Sequence, residues 1–426
     1  MKVLVLTLGT RGDVQPFVAL AQQLKQRGHE VVVAAPHRFT SLVEGHGVMF
    51  AGIDDGPLRL LDTGTAVGDV ATGGVGAKLA LMRRMPAMFT RVLDDCWKVT
   101  STGAGSGAEL IVHNGQVMAG QHIAEKLDIP AVLALPMPIY VPTREFPWPG
   151  QQLPSWLPAP VNRLTYAGMK APALMFGRTV DRWRSGLGLP RRRSRHDPSR
   201  RPDGTPAPVL HAVSPAVVPR PADWPPTAHI TGYWFAETTA TAHIAAPDGL
   251  HLTDGDGQPV VFVGFGSMAG PDPKAATEQV VQALRMAGVR GILAGGWGGL
   301  QQTSGPDTFL AGDVPHETVF PRSAVIVHHG GAGTTAAAIR AGRPQVVCPF
   351  VADQPFWGAR MHQLGVAPEP INLRHLTVPR LAAAIRRAVD DPAMITAARR
   401  LGEQIRAENG VATAAALLEQ LAGEHR

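Results

Sequence analysis

Two stretches far apart in the chain begin in the same way. VLVLTLGTRGDVQPFVAL (3–20) and QPVVFVGFGS (258–267) each run an apolar, β-branched segment into a glycine-bearing turn, and a helical pattern follows. Apolar runs without polar alternation fit strands covered on both faces, the arrangement of a parallel sheet flanked by helices. Two such starts predict two successive doubly wound α/β halves, which share an arrangement and not a repeated sequence. At 426 residues the chain is also long for a single core.

The first half reads as strand 3–8, helix 14–27, strand 31–36, strand 109–114, helix 117–127 and strand 129–135. Val14, Phe17, Leu20, Ala21 and Leu24 carry the helical spacing, and Gly28 in RGHE (27–30) is the stop. The second half gives helix 274–287 and strands 291–296, 324–331 and 344–350. Between them, 137–160 and 214–226 are rich in Pro and Trp. The expected division is residues 1–237, a linker over 238–257, residues 258–408, and an amphipathic C-terminal helix over 409–426 free to return to the first half.

With 45% hydrophobic and 17% charged residues, the composition excludes a disordered chain. The net charge of +6 suits an anionic small ligand or a membrane surface as well as it suits nucleic acid. RRRSRHDPSRR (191–201) reads as a solvated loop, with contact to anionic lipid or nucleic acid as the alternative. No nucleic-acid partner is expected, and a monomer and a dimer are equally compatible with the sequence. Cys96 and Cys348 form no metal or disulfide spacing, which favours a reducing compartment. VLVLTL is too short for a signal-peptide core, and a cytoplasmic location is expected.

The richest chemistry lies in VIVHHGGAGTTAAAIRAGRPQVVCPFVADQPFWGARMHQLG (325–365). A strand ends at His328 and His329, a glycine-rich turn follows, and Thr334 and Thr335 begin a helix. Such a turn presents unpaired N–H groups and the positive end of the helix dipole, which suits a phosphate or diphosphate. Tight backbone packing with core histidines is the alternative. After the next strand, Asp353 and Gln354 offer an acceptor and donor set for adjacent sugar hydroxyls. Asp353 also fits the N-cap of a helix with Pro355 in its first turn. A phosphate site, a strand and an acid–amide pair together form the layout a nucleotide sugar requires.

This region resembles the signature of inverting nucleotide-sugar glycosyltransferases with the two-domain GT-B fold, family 1 type. The sterol- and natural-product-glucosyltransferase branch is the most similar. GTRGDVQPFVAL, SPAVVPRPADWPPTAHITGYWF (214–235), VGFGSM (263–268) and GGWGGL (295–300) match that branch in order, and the resemblance covers roughly residues 1–420. It implies two Rossmann-like domains facing across a cleft, acceptor domain first and donor domain second. His329, Gly331, Gly333, Thr334 and Ser267 would hold the donor diphosphate, and Asp353 and Gln354 the hexose. Val314, in DVPH (313–316), would meet the nucleobase through its backbone. Asp313 stands where many relatives carry an aromatic stacking residue, which leaves UDP-glucose and dTDP-sugars both as donors. The implied reaction needs no cofactor and no metal, because the helix dipole and His329 meet the charge of the leaving diphosphate.

Inverting transfer needs a base for the acceptor hydroxyl. The resemblance to the sterol-type and glycopeptide-type enzymes implies Asp13 in this role. The first βα loop has no histidine, and helix capping is the competing reading of Asp13, while RGD as an adhesion tripeptide would need export. His113, at the end of ELIVHN, is a second candidate base with a structural strand-end role as its alternative. Met82, Met85 and Met88 repeat at helical spacing, and Tyr140, Phe146 and Trp148 follow in a Pro- and Trp-rich stretch with Trp156. A methionine stripe is usually core, but adaptable thioethers would also suit a bulky apolar acceptor. The acceptor expected is a sterol, terpenoid, polyketide or lipid alcohol. A nucleotide-sugar epimerase and a non-catalytic transferase-like partner protein are the rival functions. Turnover without acceptor would mark the first, and Asp13 retained with intact donor motifs argues against the second.

Overall fold

The computed structural model describes residues 1–56, 58–59, 75–151, 153–154, 156–190, 196–236, 258–265, 273–295, 308–311 and 315–425, without the side chains of 75–84, 170, 273, 310 and 311. They form two compact units. The first comprises Met1–Glu145, Ala159–Thr239 and Asn409–Arg426; the second, Phe146–Pro158 and Ala240–Glu408.

The first unit is built on β1 (Lys2–Leu6), β2 (Glu30–Pro36), β3 (Met49–Ile53), β4 (Leu110–His113), β5 (Ala131–Leu135), β6 (Val209–His211) and β7 (Ala228–Ile230). All pair in parallel in the order β3-β2-β1-β4-β5-β6-β7. Its helices include α1 (Arg11–Gln26), α2 (Val75–Ser101), α3 (Gly120–Leu127) and α4 (Ala171–Gly186). Strand alternation divides β1 between two cores. Val3 and Val5 join Phe17, Leu20 and Leu24 of α1, while Leu4 and Leu6 join Val92 of α2, Ile123 of α3 and Val180 of α4. This two-sided burial is why the strand reads as an unbroken apolar run.

The chain passes outward from β1 to β3 and then crosses to β4 on the other side of β1. The loops after β1 and β4 therefore leave the sheet in opposite directions and open a crevice at its carboxyl edge.

The second unit repeats this grammar with β8 (Val260–Gly264), β9 (Arg290–Ala294), β10 (Thr308–Ala311), β11 (Val325–His328) and β12 (Gln345–Val347), in the order β10-β9-β8-β11-β12. Its helices include α5 (Pro273–Ala287), α6 (Ala332–Arg340), α7 (Gln354–Gln363), α8 (Val378–Asp390) and α9 (Pro392–Ala407). Val261 and Val263 face the core formed with α5 and α8, and Phe262 faces Phe320, Ile326 and Ala338. Here the order reverses between β8 and β11.

The last helix, α10 (Gly410–His425), belongs to the first unit. Ala414, Ala415 and Leu418 enter the α1 core, and Glu419 accepts from Arg27 Nε at 2.9 Å and meets His29 Nε2 at 2.7 Å. Phe146–Pro158, read from sequence with the first half, groups with the second unit, where the Phe146 ring lies 5.7 Å from that of Phe356. The strands β3, β6, β7 and β10 were not evident in the sequence. Two of them have only three residues, too few to show a period.

Candidate active site

The second unit's site starts from a pair of neighbouring histidines with different jobs. His328 is fully buried and ends β11. Its Nδ1 accepts the Gly330 N–H at 3.0 Å, so Nε2 carries the proton and donates to Gln345 Oε1 at 2.8 Å. Burial pushes its pKa down to about 3, with His329 adding to the effect, so the ring stays neutral and works as a brace. The brace fixes Gly330 at φ +90°, where an added Cβ would stand 2.8 Å from Val347 Cγ1 and 3.0 Å from the Gln354 carbonyl oxygen.

His329 follows on the other side of the turn. Burial holds its pKa below the ordinary histidine value, with the Gly264 backbone on β8 opposing. Its Nδ1 is buried without a hydrogen-bond partner among the described residues. Gly331 is the N-cap of α6, and Gly333 and Thr334 fall in the first turn, where backbone N–H groups have no acceptor within the helix. The neutral ring lies beside these N–H groups, its Nε2 2.7 Å from where a Cβ on Gly331 would stand. Together they can hold an anionic oxygen cluster.

The loop after β12 carries the acid–amide pair. Asp353 occupies the N-cap position of α7, yet its side chain makes no capping bond. Asp353 Oδ2 instead accepts from Trp357 Nε1 at 2.7 Å, which leaves Oδ1 to face other groups. Burial raises the Asp353 pKa and the Trp357 bond opposes the rise. Gln354 Oε1 accepts from the N–H groups of Phe350 and Val351 at 2.8 and 3.1 Å, so its amide NH2 is the part left for a ligand. The pair thus retains one carboxylate oxygen and one amide donor on consecutive residues.

The first unit's site lies where its sheet order reverses. Helix α1 begins at Arg11, three residues before the first apolar position, so Arg11–Asp13 form its first turn. Asp13 Oδ2 accepts from Thr10 N at 2.8 Å and Thr10 Oγ1 at 3.0 Å, while Oδ1 accepts from Gln116 Nε2 at 3.2 Å. Asp13 therefore caps the helix through one oxygen and turns the other toward the β4 loop. Gly9, at φ +139°, makes room for this: a Cβ there would stand 2.4 Å from Asp13 Oδ2. Asn114 ties the two loops together, donating from Nδ2 to Thr7 Oγ1 at 3.0 Å and to the Leu8 carbonyl at 2.7 Å.

The other expected residues separate. His113 is buried at the end of β4, its Nδ1 bonded to the Asn114 carbonyl at 3.2 Å, and burial lowers its pKa to about 4. Tyr140 reaches the β4 loop, its hydroxyl 3.5 Å from the Gly115 carbonyl, beside Gln116. Met85 packs against the core shared by α2 and α4, and Met88 lies beside Gly56 after β3. Phe146 and Trp148 lie in the second unit. Ser267, Val314 and the Met82 side chain fall outside the described residues. Gln116 and Asn114 were missed from sequence; their only signal is their position just after β4, level with the loop that bears Asp13.

Residues 3–145 match the glycosyltransferase family 28 N-terminal domain, and residues 301–421 the erythromycin biosynthesis protein CIII-like C-terminal domain. The O-mycaminosyltylonolide 6-deoxyallosyltransferase of Streptomyces fradiae is 37% identical over 438 residues, covering 99% of this chain and 98% of its own length. The chain belongs to the GT-B glycosyltransferases of the family 1 type. This glycosyltransferase is also 33% identical over 446 residues to a sterol 3-β-glucosyltransferase of Cryptococcus neoformans, covering 97% of the chain but 27% of that relative. It thus spans about a quarter of that fungal protein's length. Among solved structures, the glycosyltransferase VinC in complex with dTDP superposes with a TM-score of 0.65 at 19% identity, covering 100% of both chains.

Proposed function

We propose that this glycosyltransferase transfers a hexosyl group, with inversion and without a metal, from a UDP- or dTDP-sugar to a hydroxyl of an apolar acceptor. In this reading His329 and the first turn of α6 receive the diphosphate, and Asp353 Oδ1 with the Gln354 amide grips the sugar. Asp13 Oδ1 takes the acceptor proton as the acceptor oxygen bonds to the anomeric carbon and the diphosphate departs. The departing charge is met by the α6 dipole and a fixed imidazole, which supplies the electrostatic role a cation would otherwise fill.

The observation that carries the reading is the largely buried His329 ring at the start of α6, its Nε2 2.7 Å from where a Cβ on Gly331 would stand and its Nδ1 without a hydrogen-bond partner among the described residues, one loop away from the Asp353–Trp357 clamp. A buried nitrogen left without a partner is costly unless a ligand completes it. The named relatives favour a sterol-like or macrolide-like acceptor, and they differ in sugar, one glucosyl and one 6-deoxyallosyl. The test offers UDP-glucose and dTDP-6-deoxyhexoses with a panel of sterols, macrolide aglycones and lipid alcohols, with and without chelator. Mass spectrometry and anomeric NMR of the products report the outcome. Glycosylated apolar alcohol of inverted configuration, formed equally in chelator, supports the reading. Donor epimerised without acceptor, or products confined to sugars and peptides, would contradict it.

A further inference from the structure

Leu164, Leu174 and Met175 are 72, 82 and 55% exposed, and with Trp156 they are the most exposed large apolar side chains among the described residues. Helix α4 buries Phe176, Val180, Trp183 and Arg184 on one side. Leu174, Met175, Arg178 and Arg182 recur on the other at three- and four-residue spacing, all exposed. This outer face is therefore aliphatic at its start and cationic further on. The surrounding sequence is biased in the same direction: residues 159–201 hold eleven of the chain's 40 Lys and Arg but two of its 34 Asp and Glu. The nearby carboxylates are partly engaged. Asp181 meets His196 at 3.3 Å and Asp223 lies 3.9 Å from Arg163, which leaves Asp94 exposed on α2. Between α2 and α4 runs a cleft of about 420 Å³ lined in part by Trp97, Trp183 and Leu187, with Arg182 and Asp94 on its walls.

We propose that this face of the first unit docks on an anionic lipid bilayer. Leu174 and Met175 enter the acyl boundary, and Arg178 and Arg182 meet headgroup phosphates. Exposed aliphatic side chains next to a cationic stripe combine the two forces that hold a protein in the interface plane. A solvated loop explains the charge but not the bare leucines. Among the described residues no helix is long and apolar enough to cross a membrane, so the contact is peripheral. The inference does not rest on the transfer reaction, although it would bring the chain to where apolar alcohols concentrate.

Flotation of the full chain with phosphatidylcholine vesicles, plain or with about 30% phosphatidylglycerol, tests it. The expected result is at least about ten-fold stronger partition to the anionic vesicles at low salt, fading at high salt. Arg178→Gln with Arg182→Gln should remove that preference, and Leu174→Gln with Met175→Gln should lower binding to both vesicle types. These positions are exposed, and circular dichroism checks that the variants remain folded. Equal binding to both vesicles, or unchanged binding by both double variants, would overturn the proposal. So would a dimer, seen by light scattering, that Leu174→Gln with Met175→Gln converts to monomer, because a second copy would then own this face.

Discussion

Gln116, in the loop after β4, donates from Nε2 to Asp13 Oδ1 at 3.2 Å across the point where the first sheet reverses its order. The two oxygens of Asp13 are thereby divided, Oδ2 serving the helix start and Oδ1 held toward the crevice. Gln116→Ala should lower kcat about ten-fold while donor KM and melting temperature stay unchanged, since the cap to Thr10 survives. Gln116→Glu, which sets a like charge against Asp13, should be worse. Steady-state kinetics on both variants check this.

Gly9→Ala tests the same geometry from the other side. Its Cβ would stand 2.4 Å from Asp13 Oδ2 and 2.6 Å from Gln116 Oε1, at a φ that disfavours any side chain. We expect a stability loss of about 1–3 kcal/mol and roughly a hundred-fold loss of transfer. Nucleotide affinity should be retained. Thermal melts and initial rates measure both effects.

The Asp353 carboxylate should report on the sugar. Asp353→Asn keeps an acceptor for Trp357 Nε1, so donor KM should rise about ten- to a hundred-fold while affinity for the free nucleoside diphosphate holds. Because burial raises this carboxyl's pKa, it protonates at higher pH than an exposed aspartate. Donor kcat/KM should therefore fall on the acid side earlier than for a solvent carboxylate, and this limb should vanish in Asp353→Asn. A pH–rate profile of the two proteins checks the sign.

Three buried histidines set the acid limit of stability. Burial lowers the pKa of His113 and His211 to about 4, and of His328 to about 3. Unfolded, each binds a proton near its ordinary value of about 6.5, whereas folded it does not. Stability is therefore full above that value and falls as pH drops toward about 4, by up to about 1.4 kcal/mol per pH unit for each histidine. Denaturant titrations across this range should show the slope, and His211→Asn should reduce it by one proton.

Strands such as β1, β2, β8 and β11 were legible in the sequence because parallel strands buried on both faces write unbroken apolar runs. The start of α1 was not, since Arg11–Asp13 are polar and a capped first turn has no apolar period. His329, Asp353 and Asp13 announced themselves by residue type beside a turn. The division of labour between His328 and His329 did not, because two adjacent histidines look alike until Gln345 and Gly330 engage one of them. Asp353 resembled an N-cap in sequence, and only the position of the Trp357 indole shows where its carboxylate goes. Gln116 was invisible because its partner is set by sheet order and not by sequence distance.

The central claim is that one carboxylate, Asp13, takes the proton while a separate set of groups holds the donor. The most direct test is Asp13→Asn, assayed in parallel for transfer to an accepted apolar alcohol and for calorimetric binding of the nucleoside diphosphate. An amide can still accept at Thr10 N, so the helix cap is kept. The account predicts transfer reduced at least about a thousand-fold, with nucleotide affinity unchanged. Transfer at the unmodified rate would contradict it and remove Asp13 as the base.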